Sequence, residues 1–204
     1  MRLLWSSRSP FVRKVMVAAH EVGIAGRIAT ERVVVGIDKP DPGVMALNPL
    51  NKIPTLVLDD GAVLYDSRVI SEYLDTLHAG PRLFPADPAA RWRALRRQAL
   101  GDGLMEVIVL RLGEQSRPGE RQSESHLAAF RLKIGSALDR LEAGGCDPAA
   151  TPDIGDVAVG CALAHLDFRF AADGWRTGRP TLSAWFAAFA ERPSMRATQY
   201  VDIY

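Results

Sequence analysis

The chain has 204 residues, 48% hydrophobic and 24% charged, with a formal net charge of +1. That is the composition of an ordinary globular chain able to bury a core, and the charge lacks the electrostatic footprint of a nucleic-acid binder. Two cysteines, Cys146 and Cys161, both follow residue 145, which excludes a disulfide-stapled secreted fold and a CxxC motif in the first half.

Four histidines (His20, His78, His126, His165) lie far apart without metal-ligand spacing, so no metal is expected. The opening Met1-Arg-Leu-Leu-Trp has no apolar leader pattern, and no apolar run approaches the roughly 20 residues of a membrane span. A cytoplasmic protein with no membrane partner is expected.

Leu3 to Trp5 reads as a short buried strand. Pro10 follows Ser9, and Phe11, Val12, Val15, Met16, Ala18 and Ala19 recur at helical spacing until Gly23. Ile28 to Val35 reads as a strand, since Val33, Val34 and Val35 are β-branched. Lys39 to Asn51 carries three prolines and reads as loop. Thr55 to Leu58 and Ala62 to Tyr65 are strands joined by Asp59-Asp60-Gly61, a hairpin turn signal. Ser67 is the expected cap of a helix whose inward face is Ile70, Tyr73, Leu74 and Leu77.

The order is βαβ, then ββα, which predicts a thioredoxin-like domain over 1–78. Residues 79–88, with Gly80, Pro81, Pro85 and Pro88, read as a linker. From 89 to 204 only helical patterns appear, so an all-helical domain is expected. Trp92 to Leu112 forms one long helix with Gly101 and Gly103 as weak points. Further helices run through Leu127 to Leu141, Val157 to Phe168 and Leu182 to Phe189, the last started by Pro180.

Three segments are candidates for chemistry. Ser9-Pro10 places a hydroxyl at a helix start, which serves either as an ordinary N-cap or as an anion site. Ile53-Pro54 enters a strand, either as an edge-strand proline or as a cis bond that leaves the Ile53 backbone open to a ligand. Asp66-Ser67 joins an acid and a hydroxyl at a helix start. It is either a plain cap or a zwitterion site, with Asp66 on the ammonium and Ser67 on the carboxylate.

In order and spacing, these three segments resemble the glutathione S-transferase superfamily. The resemblance continues through Asp102-Gly103-Leu104-Met105, Glu114 to Pro118 and Asp153 to Arg169, which look like the bacterial YibF-like branch. It implies a serine-type glutathione site with Ser9 as the catalytic hydroxyl on the sulfur. Ile53, before the cis-proline Pro54, would pair with the cysteinyl backbone, and Asp66 and Ser67 would hold the γ-glutamyl end. Lys52 or Asn51 is placed to help with a carboxylate. Asp153 and Asp156 resemble the family's helix-capping box. The family corner is often Glu-Ser, so Asp66 is one methylene shorter.

The resemblance further implies a homodimer that joins glutathione, as co-substrate, to a small hydrophobic electrophile. Met105, Ile108 and Val109 are candidate pocket residues, and each is equally read as core packing. Serine cannot undergo thiol–disulfide exchange, which disfavours glutaredoxin-like reduction at this site. Glutathione-dependent isomerisation or dehalogenation, or a non-catalytic binding role on the same fold, are the alternatives. Arg8 and the cluster Arg91, Arg93, Arg96 and Arg97 read as solvated surface. Cys161 reads as a core residue and Cys146 as an exposed loop residue.

Overall fold

The computed structural model describes residues 1–36, 38–144 and 151–202. The chain forms two compact units, Met1–Pro88 with Pro193–Tyr204, and Ala89–Arg192. The segment from Pro193 thus packs with the first unit, although the sequence pattern runs the helical half on to 204.

The first unit contains β1 (Arg2–Trp5), α1 (Pro10–Glu21), β2 (Ala29–Arg32), α2 (Pro42–Leu47), β3 (Thr55–Val57), β4 (Val63–Leu64) and α3 (Ser67–Asp75). The four strands form one sheet in the order β2-β1-β3-β4. β1 runs parallel to β2 and antiparallel to β3, and β3 is antiparallel to β4. This is the expected thioredoxin-like arrangement. Leu3 and Leu56 from the sheet, Val12, Val15 and Ala19 from α1, and Ile70 and Leu74 from α3 close one buried core. Truncating any of the larger of these to alanine costs about 2–5 kcal/mol.

Three local expectations change. β2 stops at Arg32, short of the valine run. It pairs only with β1, which ends at Trp5, and the bond from the Val33 N–H to the Trp5 carbonyl is the last available. The loop expected over 39–51 contains α2, because Asp41 accepts the N–H groups of Gly43 and Val44 at 2.8 and 3.0 Å and Pro42 pre-sets the first turn. The cap of α3 is Asp66, and Ser67 is the first helical residue.

The expected linker is fastened at its start. The buried Asp75 carboxylate accepts the N–H groups of Leu83 at 2.8 Å and Phe84 at 3.2 Å, and its Oδ1 lies 3.2 Å from His78 Nε2. His78 Nδ1 in turn accepts the Gly80 N–H at 3.0 Å.

The helical unit contains α4 (Pro88–Gln115), α5 (Glu124–Glu142), α6 (Ile154–Phe170) and α7 (Pro180–Ala190); α8 (Pro193–Ala197) follows in the first unit. α6 is buried from Ile154 to Leu166 and forms the axis of this core. Gly101 does not weaken α4. A Cβ there would meet the Ala158 backbone at 2.7 Å, so the missing side chain lets α4 approach α6. Asp153 and Asp156 form the expected capping box at the start of α6. Arg97, expected on a solvated face, instead reaches that box, 2.7 Å from Asp153 and 3.3 Å from Asp156. Cys161 is buried on α6; Cys146 lies outside the described residues. No described helix is long and apolar enough to cross a membrane.

Candidate functional site

The sheet register brings the three candidate segments to one end of the sheet. Leu4, near the end of β1, pairs with Thr55 at the start of β3, and Leu56 pairs with Leu64 at the end of β4. The loop after β1, the turn before β3 and the corner after β4 therefore emerge together. They carry Ser9, Ile53-Pro54 and Asp66-Ser67 respectively.

Ser9 is the N-cap of α1. Its backbone is extended, and its hydroxyl oxygen accepts the Val12 N–H at 3.3 Å. The hydroxyl spends a lone pair on the helix and keeps its own proton for another acceptor. The helix start also holds N–H groups that lack partners within the helix, and the positive end of its dipole. An anion beside Ser9 is favoured on both counts.

The Ile53–Pro54 peptide is cis. Pro54 is buried and Ile53 packs, half-buried, against the core. The turn is fixed from beneath by buried Asn48. Its side-chain amide donates to the Lys52 carbonyl at 3.0 Å and to the Thr55 hydroxyl at 3.1 Å, and that hydroxyl donates to the Lys52 carbonyl at 2.9 Å. No hydrogen bond of the described residues outside the regular elements uses the main chain of Ile53. The Lys52 side chain is exposed beside it. Asn51 adopts φ 54° and spends its side chain on the loop, accepting from the Asp41 N–H and donating to the Lys39 carbonyl, each at 2.9 Å. Asn51 is thus a buttress.

At the third corner the Tyr65–Asp66 peptide is also cis. Asp66 is exposed, and its Oδ1 accepts the Arg68 N–H at 2.9 Å. Ser67 is buried, at the first position of α3. An exposed acid thus sits directly before a helix start, beside backbone N–H groups of its first turn.

Of the pocket candidates, Met105 and Ile108 on α4 are wholly buried and Val109 is partly so. Asn48-Pro49 opens the second candidate segment in the sequence, but the role of Asn48 as the support of the cis turn is not assigned there. An Asn directly before a proline, seven residues ahead of a strand threonine, is its only trace in the sequence. Among the described residues, no group of three or more His, Cys, Asp or Glu could hold a metal ion.

Comparison with known proteins decides the family. The glutathione S-transferase N-terminal domain matches residues 8–77, and the glutathione S-transferase C-terminal domain matches residues 124–188. An uncharacterized GST-like protein of Escherichia coli, YibF, is 35% identical over 98% of both chains. The chain belongs to the glutathione S-transferase family. A glutathione transferase family member from Pseudomonas fluorescens, solved with bound glutathione, is 44% identical over 98% of both chains, with a TM-score of 0.95. A second structure from that organism, with bound S-(propanoic acid)-glutathione, is 43% identical over 98% of this chain and 100% of the other, with a TM-score of 0.90. The glutathione S-transferase fold and the three corners therefore come together in one chain.

Proposed function

We propose that the protein is a glutathione transferase that activates the glutathione thiol at Ser9 for attack on a small hydrophobic electrophile. The single observation that carries this is the Ser9 geometry: a hydroxyl whose lone pair is occupied by Val12 N–H, at the positive end of a twelve-residue helix. Glutathione supplies the thiol. A free thiol has a pKa of about 8.5 and is mostly protonated at neutral pH. Donation from the Ser9 hydroxyl and the field of α1 favour the thiolate.

The main chain of Ile53, outside the regular hydrogen bonding, is suited to pair with the cysteinyl backbone, with Pro54 holding the turn. Asp66 offers its carboxylate to the γ-glutamyl ammonium, and the Ser67 N–H and hydroxyl suit the adjacent carboxylate. Lys52 offers a charge to the remaining carboxylate. In the reaction the thiol proton passes to solvent and the sulfur forms a bond to an electrophilic carbon. The electron pair of the broken bond departs with halide from a haloaromatic, or stays on the opened epoxide oxygen or the neighbouring alkene carbon, which takes a proton from water. Binding of a glutathione thioether by the Pseudomonas fluorescens relative supports transfer to a carbon centre. Val109 is the pocket candidate with exposed surface. The reading includes a cytoplasmic homodimer.

The test is conjugation of glutathione to a panel of haloaromatics, epoxides and activated alkenes, with glutathione consumption followed alongside. Conjugate formation supports the reading. Turnover without net consumption would reassign the chain to isomerisation, and absence of both would leave a binding protein.

A further inference from the structure

The loop that carries Ser9 is weakly held by its own bonds. Ser9 N–H reaches the Ser6 carbonyl at 3.3 Å, and Arg8 N–H reaches the Ser6 hydroxyl at 3.4 Å. α8 and the segment after it add contacts on both sides of Ser9, two of them shorter at 2.7 Å. Val201 N–H also reaches the Ser7 carbonyl and Arg13 Nε the Thr198 hydroxyl, each at 3.4 Å. The Ser7 hydroxyl donates to the Val201 carbonyl at 2.7 Å. Arg8 Nε pairs with Asp202 Oδ1 at 2.7 Å. On the helix side, the Arg13 guanidinium stacks 4.4 Å from the Tyr200 ring centre and donates to the Met195 carbonyl at 3.1 Å. Arg13 N–H also closes the first turn of α1 on the Ser9 carbonyl at 3.0 Å.

Arg13 is a cation near the N-terminal end of a helix, where the dipole disfavours it. It is nonetheless 9% exposed. Its burial follows from what the 195–200 segment offers it, a carbonyl and an aromatic face.

We propose that Asp202 and Tyr200 are positioning residues for Ser9. Acting through Arg8 and Arg13, they strap the loop and the first turn of α1, so that the Ser9 hydroxyl holds one orientation toward the thiol. The catalytic consequence rests on the function proposed above; the ordering of the loop does not.

A charge-only role predicts the opposite sign. Asp202 offsets the Arg8 charge beside Ser9, so loss of its charge by itself would favour a thiolate and lower the thiol pKa. Positioning predicts that the same loss loosens the hydroxyl and raises the thiol pKa.

The experiment uses the full chain with Asp202→Asn, Asp202→Glu, Tyr200→Ala and the Asp202→Asn/Tyr200→Ala double variant. Amide hydrogen exchange is measured without ligand, and the thiol pKa is then read from the thiolate absorbance of bound glutathione. A half-exposed ion pair is worth up to about 1 kcal/mol, so Asp202→Asn accelerates exchange at Arg8, Ser9 and Val12 by about two- to fivefold. The double variant accelerates it about tenfold or more, with β3 and α3 unchanged, and Asp202→Glu restores the slow rates. Unchanged exchange in the double variant overturns the strap. Accelerated exchange with a lowered thiol pKa overturns the positioning of Ser9. If the wild type fails to bind glutathione, the proposed function fails, and exchange at Ser9 alone still decides the strap.

Discussion

The Ser9 hydroxyl oxygen accepts the backbone N–H of Val12 at 3.3 Å and so caps α1. In the proposed function the same hydroxyl also faces the thiol, and substitution can separate the two roles. Alanine at an N-cap costs about 1 kcal/mol, whereas glycine costs only a few tenths. Ser9→Ala is therefore expected to lose both stability and conjugation. Ser9→Gly keeps nearly all the stability and loses conjugation about 10- to 150-fold, the worth of a hydrogen bond to a charged atom. Chemical denaturation and steady-state kinetics on both variants check this.

Asp66 caps α3 through Arg68 N–H at 2.9 Å, and in the proposed function its carboxylate also faces the γ-glutamyl ammonium. Asparagine caps as well as aspartate, so Asp66→Asn is expected to stay within about 0.5 kcal/mol of wild-type stability. It removes the charge offered to an ammonium, and glutathione affinity is expected to fall about tenfold or more. Titration calorimetry reads the affinity and thermal unfolding reads the stability.

Two glycines on one helix predict effects of opposite sign. A Cβ at Gly101 would lie 2.7 Å from the Ala158 backbone, whereas one at Gly103 would meet nothing within 4 Å. Gly101→Ala is expected to destabilise by about 1–3 kcal/mol through overpacking. Gly103→Ala is expected to stabilise by up to about 1 kcal/mol through helix propensity. Urea unfolding of the pair measures both.

The start of α7 is capped from another helix. Glu142, at the end of α5, accepts the N–H groups of Leu182 at 2.7 Å and Thr181 at 3.1 Å. The bond from Leu182, the largest cause, holds the Glu142 carboxyl below its ordinary value; burial opposes it and Thr181 adds to it. A depressed folded pKa stabilises above the unfolded value of about 4.3, and that stabilisation is lost as pH falls through the folded pKa. Glu142→Gln is therefore expected to lower the melting temperature at pH 7, and the gap from wild type closes as pH falls below about 4. Melting curves across that range test it.

The sheet and the three corners were legible in the sequence because each rests on local chemistry. Asp-Gly turns a hairpin, Ser-Pro starts a helix, and apolar positions keep their period. What was not legible depends on partners distant in the chain. β2 ends before Val33 because β1 has no further carbonyl to offer. Arg97 reads as surface until Asp153, 56 residues later, lies at 2.7 Å. Gly101 reads as a weak point until Ala158 packs against it. Asp66 and Ser67 are both good cap formers, and choosing between them needed the backbone itself. The Arg8–Asp202 pair spans nearly the whole chain and has no local signal.

The central claim is that Ser9 turns a bound thiol into a thiolate. The most direct measurement is the ultraviolet thiolate absorbance of glutathione bound to the wild type and to Ser9→Gly, followed across pH. The account predicts a bound-thiol pKa well below about 8.5 in the wild type and close to that value in the variant. A wild-type pKa at the free value, or the same depressed pKa in both proteins, would contradict it.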